Sequence, residues 1–195
     1  EDNKSGMKYF EGEHYGYLRL NEPILHKRAV FLPLPDSWIV IDDLIGNGIY
    51  NFKLHWLTPK NSYQSSDSYN TFIIDEAEKP YGLIIKKIGQ VNKTLKSEVI
   101  EGSINDDCYG WHSPYYGIKE KKKSILIQLK DAPPIRLVSI FTNNPERNKI
   151  IDSKESFLIK SPYNEISLFF NEIGNSSIIS NCKIINNKSE NHFSI

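Results

Sequence analysis

The segment of residues 49–57 constrains the fold more than any other, because apolar and polar side chains alternate without interruption from residue 50 to residue 56. The apolar set is Tyr50, Phe52, Leu54 and Trp56, and the polar set is Asn51, Lys53 and His55. Successive side chains of a β-strand point to opposite faces, so this pattern predicts a half-buried antiparallel strand. The turn-forming triplet Gly46-Asn47-Gly48 and the apolar run 37–42 precede it, so we expect 37–42 and 49–57 to form a β-hairpin.

Short β-branched or aromatic runs, bounded by Gly, Pro, Asn, Asp and Ser, recur along the rest of the chain with almost no helical periodicity. The further strands expected are Tyr15–Leu20, His26–Leu32, Tyr69–Asp75, Leu83–Ile88, Lys96–Ile100, Ser124–Leu129, Arg136–Thr142, Ser156–Ile159, Glu165–Phe170 and Ile178–Ile185. About a dozen short strands without helices between them predict an all-β fold of stacked antiparallel sheets, a β-sandwich. With 39% apolar residues, the chain has enough material for one core, and we expect a single domain over residues 1–195.

The charge balance of the chain argues against two classes of partner. Lys and Arg together equal Asp and Glu, at 24 each, so no bulk positive field draws in nucleic acid. No apolar run approaches the length of about 18 residues that spans a bilayer, so we expect no membrane insertion. The chain starts at the polar residues Glu1 and Asp2 rather than at a Met, and we expect it to be a fragment of a larger protein.

Three stretches carry more than generic β-strand character. The first joins Glu13-His14-Tyr15-Gly16-Tyr17-Leu18-Arg19-Leu20 to Leu25-His26-Lys27-Arg28-Ala29-Val30. The second runs from Trp38-Ile39-Val40-Ile41-Asp42-Asp43-Leu44 to Leu54-His55-Trp56-Leu57. The third is Gly110-Trp111-His112-Ser113-Pro114-Tyr115-Tyr116-Gly117, followed by a strand and Pro133-Pro134-Ile135-Arg136.

In this order and spacing, the three stretches resemble the C-terminal β domain of the heparinase II/III-like polysaccharide lyases, over residues 10 to 145. The resemblance implies a parent with an α-helical toroid followed by stacked antiparallel sheets, and a cleft between the two parts. It also implies cleavage of uronic-acid-containing polysaccharides, such as glycosaminoglycans or alginate, by β-elimination, in a periplasmic or secreted protein. The implied partners are an acidic polysaccharide and the upstream helical domain of the same chain.

The resemblance assigns none of the family's catalytic residues to a position in this sequence. In the family, catalytic Asn, Tyr and His residues and a Gly-His-x-His segment that often binds metal lie upstream of the pattern that begins here at His14. No His-x-His pair occurs in the chain. We therefore expect no catalytic residue, no metal ligand and no cofactor here, although upstream residues of the parent can hold a divalent metal. The chain alone is expected to be inactive, and a non-catalytic carbohydrate-binding or structural module is the alternative.

His14, Tyr17 and Arg19 are the first candidates for substrate binding. Aromatic faces suit sugar rings, and the fork of an arginine suits a uronate carboxylate. The alternative is a strand whose His and Arg satisfy carbonyl groups or a neighbouring carboxylate.

His26 and Arg28 share one face of a strand. They are expected either to bind an anion together or to pair with Asp42 or Asp43 of the next strand and fix its register.

The Gly110–Gly117 loop supplies the other substrate-binding candidates, Trp111, Tyr115 and Tyr116. Large aromatic side chains are costly to leave exposed, so we expect something to cover them. A sugar ring, the upstream domain and the sheet itself are the three alternatives. The residues after the loop, Lys119–Lys123, are read as a solvated basic loop.

Overall fold

The computed structural model describes residues 6–65, 70–75, 81–88, 95–103, 109–143, 145–153, 155–186 and 189–194. Almost all of its regular structure is β-strand. The strands are β1 (Lys8–His14), β2 (Ile24–Leu34), β3 (Ser37–Gly46), β4 (Tyr50–Thr58), β5 (Tyr63–Gln64), β6 (Thr71–Asp75), β7 (Tyr81–Lys87), β8 (Lys96–Glu101), β9 (Trp111–His112), β10 (Glu120–Lys121), β11 (Lys123–Asp131), β12 (Ile135–Asn143), β13 (Lys149–Asp152), β14 (Ser156–Lys160), β15 (Asn164–Phe170), β16 (Ile179–Asn186) and β17 (Ser189–Ser194). Two short 3₁₀ helices, Gly16–Arg19 and Pro145–Arg147, complete the elements.

The strands form three stacked layers of antiparallel sheet. The central sheet has seven strands in the order β1-β2-β3-β12-β7-β6-β5. One face packs against the five-stranded sheet β13-β14-β15-β16-β17, and the other packs against the three-stranded sheet β4-β11-β8. Strands β9 and β10 form a small separate hairpin. The predicted all-β class and stacked sheets are confirmed, with one layer more than a two-sheet sandwich.

The central sheet is buried on both faces, and its sequence shows why. Along β12, Val138 and Ile140 enter the core beneath the five-stranded sheet, while Leu137 and Phe141 enter the core beneath the three-stranded sheet. Strands buried on both faces require near-continuous apolar runs rather than alternation. Each fully buried Leu, Ile or Phe side chain stabilises the fold by about 1.5–3 kcal/mol. The run Ser37–Leu44 of β3 is buried at every position except Trp38 for the same reason.

Most of the strands expected from the sequence are present within a few residues of their predicted ends. Strand β4 shows the expected alternation, with Tyr50, Phe52, Leu54 and Trp56 half-buried and their neighbours exposed. Within the expected strand Tyr69–Asp75, residues 71–75 form β6, while Tyr69 lies outside the described residues. None of the helices in the described ranges is long and apolar enough to cross a membrane.

The strand expected at Tyr15–Leu20 is wrong. The chain forms the 3₁₀ helix Gly16–Arg19 there, and the strand precedes it as β1. Gly16 makes this turn possible because the His14 ring lies against it. A Cβ atom on Gly16 would lie 2.5 Å from Cε1 of that ring.

The expected hairpin of 37–42 with 49–57 is also wrong. Strand β3 pairs with β2 and β12 in the central sheet, whereas β4 pairs with β11 in the outer sheet. The turn signal at residues 46–48 is real, with Gly48 at φ +122°, but it carries the chain from one layer to another. Both edges of β3 are occupied, by β2 and β12, which leaves no edge for β4.

A row of alternating charges crosses the central sheet on the face beneath the five-stranded sheet. The register places Glu13, Lys27, Asp43 and Arg136 at directly opposed positions of β1, β2, β3 and β12. Arg136 donates from Nε and Nη2 to the two carboxylate oxygens of Asp43, both at 2.6 Å, and both side chains are almost fully buried. Cross-strand pairs of opposite charge stabilise one register over its alternatives.

The same charged row binds the loop between β15 and β16. Arg136 Nη1 donates to the Asn171 carbonyl at 3.0 Å. Lys27 Nζ donates to the carbonyls of Asn175 and Ser176, at 2.9 and 2.5 Å, and pairs with Glu11 at 2.6 Å. Buried cations are tolerated only when paired and hydrogen-bonded, so this loop supplies part of their solvation. The row therefore fastens the five-stranded sheet to the central one.

Replacing Asp43 by Asn leaves the Arg136 guanidinium buried without its counter-charge. We expect the free energy of unfolding to fall by about 3 kcal/mol, measured by urea titration. The control is Glu165→Gln, which breaks the exposed Lys160–Glu165 pair at 2.9 Å and should change stability by less than about 1 kcal/mol. Equal effects of the two substitutions would show that the buried pair does not fasten the sheets.

Candidate functional site

A groove opens where the central sheet meets the edge of the three-stranded sheet. Its main part has a volume of about 590 Å³, and a shallower part of about 460 Å³ adjoins it over β1 and β2. Tyr17, His26 and Arg28 line both parts. Three of the residues singled out from the sequence are therefore brought to one surface.

The edge of strand β4 forms one side of the groove. Six consecutive residues, 50–55, line the groove. Since successive side chains of a strand point to opposite faces, a continuous run of lining residues means that the groove follows the strand's edge. Strand β4 is the outermost strand of its sheet, so its backbone polar groups lie along the groove.

Asp42 holds His26 and Arg28 in fixed positions in the groove. It lies opposite Arg28 in the register, on the face away from the charged row. Its Oδ1 is 2.6 Å from His26 Nε2 and accepts from Arg28 Nε at 2.6 Å, while Oδ2 accepts from Arg28 Nη2 at 3.0 Å. Asp42 itself is buried, whereas the Arg28 side chain is 40% exposed.

The ionised state of Asp42 is stabilised by its partners. Burial favours the neutral acid, but the hydrogen bonds and charges of His26 and Arg28 outweigh it and hold the pKa of Asp42 below its usual value. The carboxylate thus stays charged and keeps its hydrogen bonds to the His26 ring and the Arg28 guanidinium. In the main part of the groove, Arg28 and Lys53 outnumber Asp42, whereas Glu13 lines the shallower part, so the positive excess is confined to the main part.

The ring of Trp56, which packs against Arg28, further restricts the position of the guanidinium. Its guanidinium carbon lies 5.5 Å from the Trp56 ring centroid, a cation–π contact. Trp56 is held in turn by Ser139, which accepts from its Nε1 at 3.3 Å, and by an edge contact with Phe141 at 5.0 Å. The exposed N–H groups of Arg28 therefore project from a rigid base.

His14 and Tyr17 form the outer rim of the groove. Their rings meet edge to face at 5.1 Å, and the His14 ring lies 6.5 Å from that of His26. Tyr17 is about half exposed, as a platform for a ring would be. Arg19 is exposed in the same 3₁₀ helix but does not line the groove.

Trp111, Tyr115 and Tyr116 lie elsewhere, in and beside the β9–β10 hairpin, and none of them lines the groove. Lys119 Nζ sits 3.8 Å from the Trp111 ring centroid, and the backbone of Gly102 packs against the same ring. Trp111 is thus covered by its own chain. Tyr115 and Tyr116 are 74% and 105% exposed.

Two residues at the groove were not named as site candidates from the sequence: Lys53, which lines it, and Trp56, which packs against Arg28. Lys53 was read as part of a polar strand face, and Trp56 as an apolar strand residue within the second stretch. Neither carries a local signal, because β4 meets β2 and β3 through layer stacking rather than strand pairing.

His55, on the outer face of β4, is 2.7 Å from Ser124 Oγ, and burial lowers its pKa. Among the described residues, no group of three or more His, Cys, Asp or Glu is placed to hold a metal ion.

The fold is that of the β region found in heparinase structures. The heparinase III of the BT4657 gene product superposes with a TM-score of 0.60 at 14% identity, over 97% of this chain and 26% of that one. The heparan sulfate lyase HepC from Pedobacter heparinus gives 0.57 at 17% identity, over 98% and 26%. A further heparinase III structure gives 0.58 at 14% identity, over 96% and 25%.

The chain thus spans about a quarter of these larger structures and corresponds to their C-terminal region. The resemblance expected from the three sequence stretches is confirmed at the level of the fold. No protein-family model and no curated protein matches the sequence.

The depressed pKa of Asp42 makes its contribution to stability depend on pH. A carboxylate whose pKa is lowered by folding stabilises the folded state above its unfolded pKa of about 4, and this contribution is lost as the pH falls through the folded value. We expect the stability difference between the native chain and Asp42→Asn to narrow as the pH is lowered from about 6 towards 3. Urea unfolding at several pH values measures it, and a difference that stays constant would contradict the assignment.

Proposed function

We propose that this chain is a non-catalytic β domain of a polysaccharide lyase that acts on uronic-acid-containing glycans by β-elimination. The groove forms one wall of the glycan-binding cleft, and the domain supports a helical domain upstream. The observation that carries the proposal is the pair His26 and Arg28, fixed by the buried Asp42 in the main part of the groove, where Arg28 and Lys53 outnumber Asp42. The heparinase fold supports the same class of protein.

The geometry of Arg28 suits a uronate carboxylate or a sulfate. Asp42 takes the Nε and Nη2 groups of the guanidinium, so the N–H groups of Nη1 are not committed to it. β-Elimination removes the proton next to a uronate carboxyl group, and neutralising that carboxylate stabilises the negative charge that develops. In the proposed cleft, Arg28 binds and orients the acidic glycan, while the proton-transferring groups lie on the upstream domain.

A second candidate function is a free-standing carbohydrate-binding module that uses Tyr115 and Tyr116. The observation in its favour is the near-complete exposure of both rings, next to the basic residues Lys119–Lys123. Trp111 is less suited to this role because Lys119 covers its ring. Loss of glycan binding in Tyr115→Ala and Tyr116→Ala, with no change in Arg28→Ala, would favour the module over the groove.

The isolated chain is expected to bind a heparan sulfate oligosaccharide but not to cleave it. The Arg28→Ala substitution removes a charge-assisted hydrogen bond, so affinity should fall roughly tenfold by isothermal titration calorimetry. No ultraviolet absorbance from an unsaturated uronate should develop over time.

The matched control is Arg19→Ala, which removes an exposed arginine from outside the groove and should leave the affinity unchanged. Because Arg28→Ala also leaves Asp42 without a partner, circular dichroism should first establish that the variant is folded. Equal binding by the Arg28 and Arg19 variants would overturn the role of the groove. Product formation by the chain alone would overturn its assignment as non-catalytic.

A further inference from the structure

A second cavity lies at the other end of the central sheet and shares no residue with the groove. It has a volume of about 490 Å³ and opens between the β2–β3 turn and the β14–β15 turn. Leu34, at this end of β2, lies eight residues beyond His26, which is about 25 Å along an extended strand. The cavity also lies against the five-stranded sheet, whereas the groove lies against the three-stranded one.

The polar groups that line the cavity favour a polar ligand over an apolar protein surface. Beside apolar residues such as Leu34, Ile159 and Ile166, the lining includes the polar residues Ser37, Thr142, Arg147, Asn148, Tyr163 and Asn164. Side-chain amides and hydroxyls at this density form paired hydrogen bonds with a ligand that carries several hydroxyl groups. Asp36 and Arg147 supply one charge of each sign, so the lining has no net charge.

Asn148 provides an acceptor that the chain does not use. Its Nδ2 donates to Thr142 Oγ1 at 3.3 Å, and Thr142 is 3.5 Å from Ser37 Oγ. No described group donates to the buried Asn148 Oδ1. A buried acceptor that lacks a donor is unfavourable, so a hydrogen bond from a ligand hydroxyl to this atom would stabilise the bound state.

Tyr163 offers an aromatic face at the mouth of the cavity. Its side chain is 71% exposed. The turn that carries it is closed by Ser161, whose Oγ accepts from the backbone N–H groups of Tyr163 and Asn164 at 3.4 and 3.0 Å. Pro162 further restricts the backbone of this turn. The backbone that carries the ring is thus held in place before any ligand arrives, which reduces the entropy lost on binding.

We infer that this cavity is a second carbohydrate-binding site, which takes one pyranose unit of a glycan chain. The ring of the sugar stacks on Tyr163 while its hydroxyl groups bond with Asn148, Asn164 and Arg147. Because the lining has no net charge, the site accepts neutral and acidic sugars alike, whereas the main part of the groove, with Arg28 and Lys53 against Asp42, favours acidic sugars. The inference rests on the proposed function only for the general class of ligand.

Two probes separate the sites: a heparan sulfate hexasaccharide, and the same hexasaccharide after removal of its sulfates and reduction of its carboxyl groups. The neutral probe should shift the backbone NMR signals of Tyr163, Asn164 and Arg147 without shifting those of His26 and Arg28. Tyr163→Ala should weaken the binding of the neutral probe roughly fivefold, because stacking on the ring is lost. Arg28→Ala should leave this binding unchanged.

The matched control is Tyr15→Ala, which removes an exposed tyrosine that lines neither site and should have no effect. Absence of shifts at residues 161–164 with both probes would overturn the second site, as would equal binding of the neutral probe by Tyr163→Ala and the native chain. Failure of the acidic probe to shift the groove signals would instead count against the proposed function and leave the second site standing.

Discussion

Two adjacent aspartates on β3, an interior strand of the central sheet, organise the rest of the molecule: Asp42 and Asp43. They point to opposite faces because successive residues of a strand do so. Asp43 binds Arg136 and anchors the charged row that fastens the five-stranded sheet. Asp42 binds His26 and Arg28 and shapes the groove. Each buried carboxylate is tolerated only because an arginine shares its hydrogen bonds, so stability and site depend on the same strand.

The fold class could be predicted because β-structure leaves a strong local signature. The alternation along residues 50–56 and the apolar runs of β3, β7 and β12 are enough to indicate stacked sheets. The connections that carry the chain from one layer to the next have no comparable sequence pattern. Gly46-Asn47-Gly48 has the composition of a hairpin turn, but pairing of β3 with both β2 and β12 sends the chain to the outer sheet. Likewise, the aromatic segment after His14 has strand composition, yet Gly16 allows a 3₁₀ turn against the His14 ring.

The candidate site could be predicted only where strand pairing brings its residues together. His26, Arg28 and Asp42 lie on neighbouring strands of one sheet, so their proximity follows from the register. Trp56 reaches the same place through the packing of two sheets, which no spacing in the sequence encodes. Trp111 was singled out as a substrate-binding candidate that something was expected to cover, and Lys119, eight residues later, folds back over its ring. Contacts of this kind are set by tertiary structure.

Amide hydrogen exchange, followed strand by strand in Asp42→Asn and Asp43→Asn, tests most directly whether the two aspartates act on separate layers. The account predicts that Asp43→Asn speeds exchange in β14–β16, because the five-stranded sheet is released from the central one. It predicts that Asp42→Asn leaves exchange in those strands at the native rate. Faster exchange of β14–β16 to the same extent in both variants would contradict it.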